Sequence, residues 1–177
     1  VVDFKKSQSD GRTLSFDVNG QFQQVKADLV VGADGIRSLV RKLLIGEENT
    51  PLRYLDCIVI LGICPLNAIE GVNSLLLDSA TVFQTANGNE RIYIMPYTSN
   101  SVMWQLSFPM LEKEAKQLSA LGPQALKEEA CKRTQWHDPM PQILAATQEA
   151  QISGYPVYDR ELLKPELFSK AGSVTLI

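Results

Sequence analysis

The stretch Ala27-Asp28-Leu29-Val30-Val31-Gly32-Ala33-Asp34-Gly35-Ile36-Arg37-Ser38-Leu39-Val40-Arg41 decides how the rest of the chain is read. Leu29, Val30 and Val31 are successive branched apolar residues without alternation, the pattern of a strand buried on both faces. Gly32 and Gly35 bracket Ala33 and Asp34, so the main chain there can take positive φ angles or come close to a ligand. Ser38 is placed to cap a short helix from Leu39 to about Leu44, with Gly46 to end it. A helix start after a glycine turn offers free backbone N–H groups and a partial positive charge, which suits phosphate or ribose oxygens. Asp34 would repel a phosphate and is better placed to accept from a ribose hydroxyl, a water or a backbone amide. An ordinary strand-to-helix turn without a ligand fits the spacing equally well.

Working upstream, residues 1–5 alternate weakly, and Leu14, Phe16 and Val18 alternate cleanly with Ser15 and Asp17, the period of a half-buried strand. Asn19-Gly20 is a type I′ hairpin signal before Gln21, Phe22, Gln23, Gln24 and Val25. An antiparallel meander therefore leads into the strand at Leu29.

The contiguous pattern Ala-Asp-Leu-Val-Val-Gly-Ala-Asp-Gly-x-x-Ser-x-Val-Arg resembles the Asp-Gly fingerprint of the flavoprotein aromatic hydroxylases, the single-component FAD monooxygenases similar to p-hydroxybenzoate hydroxylase. In that family a small β-meander precedes the motif, which lies against FAD and is associated with both FAD and NAD(P)H binding. The resemblance implies cofactor-binding roles for Gly32, Asp34, Gly35 and Arg37. It does not specify a substrate.

Composition describes an ordinary globular sequence: 177 residues, 45% hydrophobic and 21% charged. The net charge of −3 and the scattering of the 17 Lys and Arg residues argue against a nucleic-acid surface. No apolar run reaches the length needed to span a bilayer, and the first residues lack a signal pattern. Cys57, Cys64 and Cys131 are odd in number and the first two sit on an apolar strand, so free buried thiols in a reducing, cytoplasmic compartment are expected. With His137 the single histidine, a Cys/His metal site is poorly supported.

Downstream, Thr50-Pro51 reads as a crossover, and residues 54–64 as a central strand ended by Pro65. A loop over 68–72 and a short segment at 75–77 precede three strands in series, at 81–85, 91–97 and 102–108. The turns are Asn87-Gly88-Asn89 and Thr98-Ser99-Asn100. In the last strand Val102, Trp104, Leu106 and Phe108 share one face, suited to packing against helices. Met103, Gln105 and Ser107 share the other, which either lines a small-molecule pocket through Met103 and Gln105 or faces solvent.

Three helices follow. Leu111, Ala115 and Leu118 make a narrow apolar stripe. Gly122-Pro123 separates this helix from the next, over about 124–134, with Leu126 and Ala130 inward. Asp138 as N-cap and Pro139 at the first helical position start a third, with Ile143 and Leu144 inside it. Trp136-His137 at the junction reads as a packing pair rather than a catalytic one.

The tail reads as a strand over 151–158, then Tyr158-Asp159-Arg160, and a buried strand over 172–177. This order resembles the family's approach to its second FAD motif, where an Asp-Arg pair precedes a strand ending in Gly-Asp. Arg160 is thereby a further candidate at the cofactor, stacking or pairing with phosphate; a surface salt bridge involving Asp159 or Glu161 is the alternative. The chain stops where that Gly-Asp would fall, and its 11 glycines include no Gly-x-Gly-x-x-Gly. A fragment of a longer enzyme is therefore expected.

The fold class expected is α+β: an antiparallel substrate-binding sheet covered by helices, joined to part of an α/β, Rossmann-like FAD-binding domain. Residues 1–50 would be the partial FAD domain, 51–155 the substrate domain and 156–177 the return segment. The resemblance implies an NAD(P)H-using FAD monooxygenase that hydroxylates an aromatic or similar small organic substrate through a C4a-hydroperoxyflavin, with no catalytic side-chain nucleophile and no metal. Alternatives are a non-catalytic truncated binding module, or a flavin-dependent halogenase, reductase or epoxidase. The halogenase Trp-x-Trp-x-Ile-Pro signature is not present. Substrate identity, NADH against NADPH, and oligomeric state do not follow from the sequence.

Overall fold

The computed structural model describes residues 3–6, 12–69, 71, 72, 74–168 and 172–177. The first two residues of the first expected strand, and residue 70 of the expected loop, lie outside the described residues. By its contacts the chain forms two units, one of Val1–Arg53 with Asp159–Ile177 and one of Tyr54–Tyr158. These borders lie slightly later than 50 and 155.

In the first unit, β1 (Asp3–Lys6), β2 (Arg12–Val18) and β3 (Gln21–Ala27) form an antiparallel sheet in that order. Asn19 and Gly20 take φ values of 53° and 82°, the two positive angles a type I′ turn requires. β4 (Val30–Gly32) leads to the helix α1 (Leu39–Ile45). It also pairs in parallel with β10 (Val174–Leu176), Val30 opposite Val174. Val30, Val40 and Val174 make a small core. The expectation that Leu29, Val30 and Val31 are all buried is corrected: Leu29 is 61% and Val31 49% exposed. In this two-stranded sheet only the side bearing Val30 is covered, by Val40 of α1, and alternation sends the residues on either side of Val30 to the other face.

The second unit is built on a five-stranded sheet. Its strands are β5 (Arg53–Pro65), β6 (Phe83–Ala86), β7 (Arg91–Thr98), β8 (Ser101–Pro109) and β9 (Ile152–Asp159), in the order β6-β7-β8-β5-β9. β6 starts at Phe83 rather than Thr81, because Asp78 caps a turn there, accepting from the N–H groups of Ala80 and Thr81. One face of the sheet carries Ile58, Ile60, Ile92, Ile94, Trp104 and Leu106, all fully buried. Three helices pack on it: α2 (Glu112–Leu121), α3 (Pro123–Arg133) and α4 (Met140–Ala146), through Ala115, Leu126, Ala130, Met140, Ile143 and Leu144. Leu111 does not join this stripe; it stands at the N-cap of α2 and is 67% exposed. Asp138 is not the N-cap of α4 either. Pro139 occupies that position, and Asp138 Oδ1 instead accepts from the Gln142 amide at 2.7 Å.

Gly62 shows how tightly this core closes: a Cβ there would lie 2.6 Å from the Trp104 ring. The three cysteines are free thiols, Cys64 fully buried and Cys57 and Cys131 half-buried. No helix among the described residues is long and apolar enough to cross a membrane, and no group of metal-ligating side chains occurs among them.

Candidate functional site

The Asp34 turn is a closed hydrogen-bonded unit. Gly35 has the positive φ expected, 73°. Gly32 serves a different need, since a Cβ there would lie 2.6 Å from Leu176 and 2.9 Å from Val40. Its bare backbone lets β4, β10 and α1 close on one another, rather than admitting a ligand. Ser38 caps α1, its Oγ accepting from Arg41 N–H at 2.9 Å and donating to Asp34. Asp34 Oδ2 accepts from the N–H groups of Leu39 at 2.7 Å and Val40 at 3.2 Å.

The picture of free amides at this helix start is therefore corrected: the amides of Leu39, Val40 and Arg41 are taken by Asp34 and Ser38. Of the acceptor roles open to Asp34, the one observed is toward backbone amides of its own helix. Burial raises the Asp34 pKa, but the donors from Ser38, Val40 and Leu39 outweigh it and hold the carboxyl below its ordinary value.

Arg160 lies beside this turn, and its side chain is only 5% exposed. Its Nε donates to Ile36 O at 2.7 Å, its Nη1 donates to Thr50 O, and Nη1 pairs with Glu47 at 2.8 Å. The salt bridge foreseen for Asp159 or Glu161 goes to Arg53, which donates twice to Asp159, at 2.7 and 2.9 Å, and once to Glu161, at 3.4 Å. Arg160 and Arg41 both line a groove of about 360 Å³ with Ile36, Glu161, Leu162 and Leu163. The sequence reading passed over Arg41. Its Nε is buried and has no hydrogen-bond partner among the described residues. Arg37, in the turn that leads to Ser38, does not line this groove.

The second feature is the sheet face opposite the helices. The register places Met103 beside Ile63 and Met95, Gln105 beside Leu61 and Tyr93, and Ser107 beside Val59 and Arg91. Apart from buried Val59 and exposed Arg91 these side chains are half-buried, so Gln105 and Ser107 neither point freely into solvent nor lie in a core. At the end of this face where β5 begins is a cleft of about 440 Å³ lined by Leu55, Asp56, Cys57, Asn89, Arg91 and Ser107, among others. Ser107 reaches it; Met103 and Gln105 stand further along the same face.

Arg91 carries no side-chain ion pair among the described residues and acts on the Cys57 thiol. Burial raises the Cys57 pKa, with the Phe108 backbone and the Arg91 charge opposing. The neighbouring Glu90 is committed to Arg133 at 2.6 Å, whose guanidinium stacks 3.9 Å from the Phe108 ring centroid. Asp56 holds a φ of 50° at the cleft edge, a left-handed conformation that aspartate tolerates better than most residues. Arg91 and Asp56 were not singled out from sequence. The available signals were a lone carboxylate opening an otherwise apolar strand, and an arginine directly after an Asn-Gly-Asn turn. His137 is occupied structurally, its ring nitrogens 3.0 Å from Thr85 Oγ1 and 2.9 Å from Asp138 O.

No family model matches the chain, and no curated protein matches it. Solved structures do. The chain is similar to a protein from Photorhabdus luminescens subsp. laumondii TTO1 assigned as an FAD-containing monooxygenase, with a TM-score of 0.79 and 18% identity over 99% of this chain and 49% of that one. It is similar to Klebsiella pneumoniae HpxO in complex with FAD and uric acid, with a TM-score of 0.75 and 18% identity over 99% of this chain and 41% of that one. It is also similar to CmlS, a flavin-dependent halogenase, with a TM-score of 0.68 and 13% identity over 99% and 30%. The chain thus spans less than half the length of each. At these identities the likeness is one of architecture, and the chain has the α+β fold of these FAD-binding flavoproteins.

Proposed function

We propose that the chain supplies the Asp-Gly turn and the substrate sheet of an FAD-dependent, NAD(P)H-using monooxygenase acting on a small aromatic or similarly planar substrate. The observation that carries this reading is the likeness, over 99% of the chain, to the FAD-containing monooxygenase at a TM-score of 0.79. The side chains present fit part of a flavin nucleotide. Arg41 keeps a buried Nε without a partner, a donor that a phosphate oxygen would satisfy. Ile36, within the turn that carries Gly32, Asp34, Gly35 and Arg37, gives that groove one wall. The end of α1 is not the phosphate seat, because its amides are already paired.

When bound, reduced FAD supplies the activation of O₂, with NAD(P)H as the electron source. The tasks left to this chain are binding, orientation and the exclusion of water. The half-buried face bearing Tyr93, Met95 and Met103 suits a flat apolar molecule, and Gln105 offers one amide to orient it. The cleft of about 440 Å³ lies in the range of small-molecule sites. Arg91 is its uncommitted cation and would hold an acidic substituent of the substrate.

The test is a visible spectrum of the purified chain after FAD is added and the excess removed, where weak or no flavin retention is expected, followed by turnover of the whole enzyme containing the chain with NAD(P)H, aromatic substrates and ¹⁸O₂. One ¹⁸O atom in the product is expected. Product oxygen drawn only from water would end the monooxygenase reading. Halogenation is the second reading, favoured by the likeness to CmlS; a chlorinated product in the presence of chloride would replace the first reading with it. A whole protein that binds aromatic ligands on the sheet but never retains flavin would make the chain a binding module.

A further inference from the structure

We propose that Arg160 is a positioning residue for the Asp34 turn rather than a direct ligand of the cofactor. This rests on the reading above that the turn borders a flavin-nucleotide groove. The Arg160 side chain is 5% exposed, and two of its bonds end on main-chain carbonyls on either side of α1: Ile36 O before the helix and Thr50 O after it. Carbonyls are fixed points of the backbone, so a planar fork bonded to both sets the position of the turn and of the segment after the helix together. Glu47 on the same segment takes a further bond and balances the charge. These bonds commit Nε and Nη1 of Arg160 to the protein, whereas Arg41 on the same groove has a buried Nε without a partner among the described residues.

The flanking residues explain how Arg160 is itself held. In an extended segment successive side chains point in opposite directions. Asp159 and Glu161 both reach Arg53, and Arg160 between them points the other way, to Ile36 and Thr50. Three consecutive residues thus form a clasp fixed at one side to the start of β5 and at the other to both ends of α1.

The experiment is amide hydrogen exchange on the full chain, read over residues 33–50 and over the sheet core at 92–94 and 102–108, for wild type, Arg160→Ala, Arg160→Lys and Glu47→Gln. Arg160→Ala is expected to speed exchange at 33–50 at least tenfold and to leave the sheet core unchanged. Added methylguanidinium is expected to restore part of that protection. Arg160→Lys should lie between, because an ammonium cannot reproduce the planar fork, and Glu47→Gln should stay within about twofold of wild type, since both carbonyl bonds remain.

Unchanged exchange at 33–50 in either Arg160 variant would overturn the proposal. So would an acceleration spread evenly over the chain, which marks general destabilisation. If Arg160→Ala does not fold, Arg160→Lys and Glu47→Gln decide by the same criteria. FAD affinity is measured on the same substitutions in the whole enzyme containing the chain: wild type failing to bind FAD there sinks the functional reading alone. Arg41→Gln losing FAD affinity while keeping wild-type exchange at 33–50 supports the separation of roles, and Arg41→Gln binding FAD as wild type does overturns it.

Discussion

Trp104 and Thr147 are joined by a hydrogen bond inside the core: the indole N–H donates to the Thr147 hydroxyl at 2.9 Å, and both residues have no exposure. Thr147 in turn donates to Ile143 O at 2.7 Å, so the last turn of α4 carries the acceptor that the central tryptophan needs. Replacing Thr147 by Val keeps the shape and leaves the buried indole N–H unpaired. A loss of about 1–3 kcal/mol in urea unfolding is expected, with Thr147→Ser closer to wild type.

Gly62 sits across from Trp104 in the sheet, where a Cβ would meet the ring at 2.6 Å. Gly62→Ala must push the indole away or bend β5. Overpacking of this kind costs roughly 1–3 kcal/mol, read as a lower urea midpoint at unchanged slope.

The Asp34 carboxylate gives a pH signature. Its pKa in the folded chain lies below the ordinary value, so its contribution is fully present above the unfolded pKa of about 3.9 and is lost as pH falls through the lower, folded value. The stability difference between wild type and Asp34→Asn should be constant at neutral pH and shrink in acid. Ser38→Ala removes the cap itself and should cost about 0.5–2 kcal/mol at neutral pH. An NMR titration of the Asp34 carboxyl with a midpoint above the ordinary aspartate value would contradict both the sign and the assignment.

Arg91 supplies a test of substrate anchoring. If it meets an acidic substituent, Arg91→Gln should weaken binding of an aromatic acid by about tenfold or more, the scale of one charged hydrogen bond, and leave its uncharged amide analogue unaffected. Equal losses for both ligands in calorimetric titrations would assign Arg91 a role in shaping the cleft instead.

Much of this was legible in the residues themselves. Asn19-Gly20 fixed the hairpin, Ser38 and Gly46 bounded α1, and the alternation of Val102, Trp104, Leu106 and Phe108 picked the face that the helices cover. These are local rules, and local geometry obeyed them. What the sequence could not tell was how long-range partners would spend the polar groups. Arg160 went to two carbonyls more than a hundred positions earlier in the chain. Nor does periodicity say whether both faces of a short apolar strand are covered, and Leu29 and Val31 are exposed for that reason. Arg91 and Asp56 mattered only once the register brought the ends of β5, β7 and β8 together.

The parallel pairing of β4 with β10 also orders events in time. Val30 meets Val174, so the β4–β10 sheet cannot close until residue 174 has left the ribosome. The stretch Tyr54–Tyr158, by contrast, is contiguous and holds its own core. Its collapse draws the two halves of the first unit together and lowers the loop-closure entropy that their pairing must overcome. Substitutions in the Trp104 core should therefore slow the assembly of the distant β4–β10 pair, whereas substitutions at Val30 or Val174 should leave the folding rate of the inserted unit unchanged.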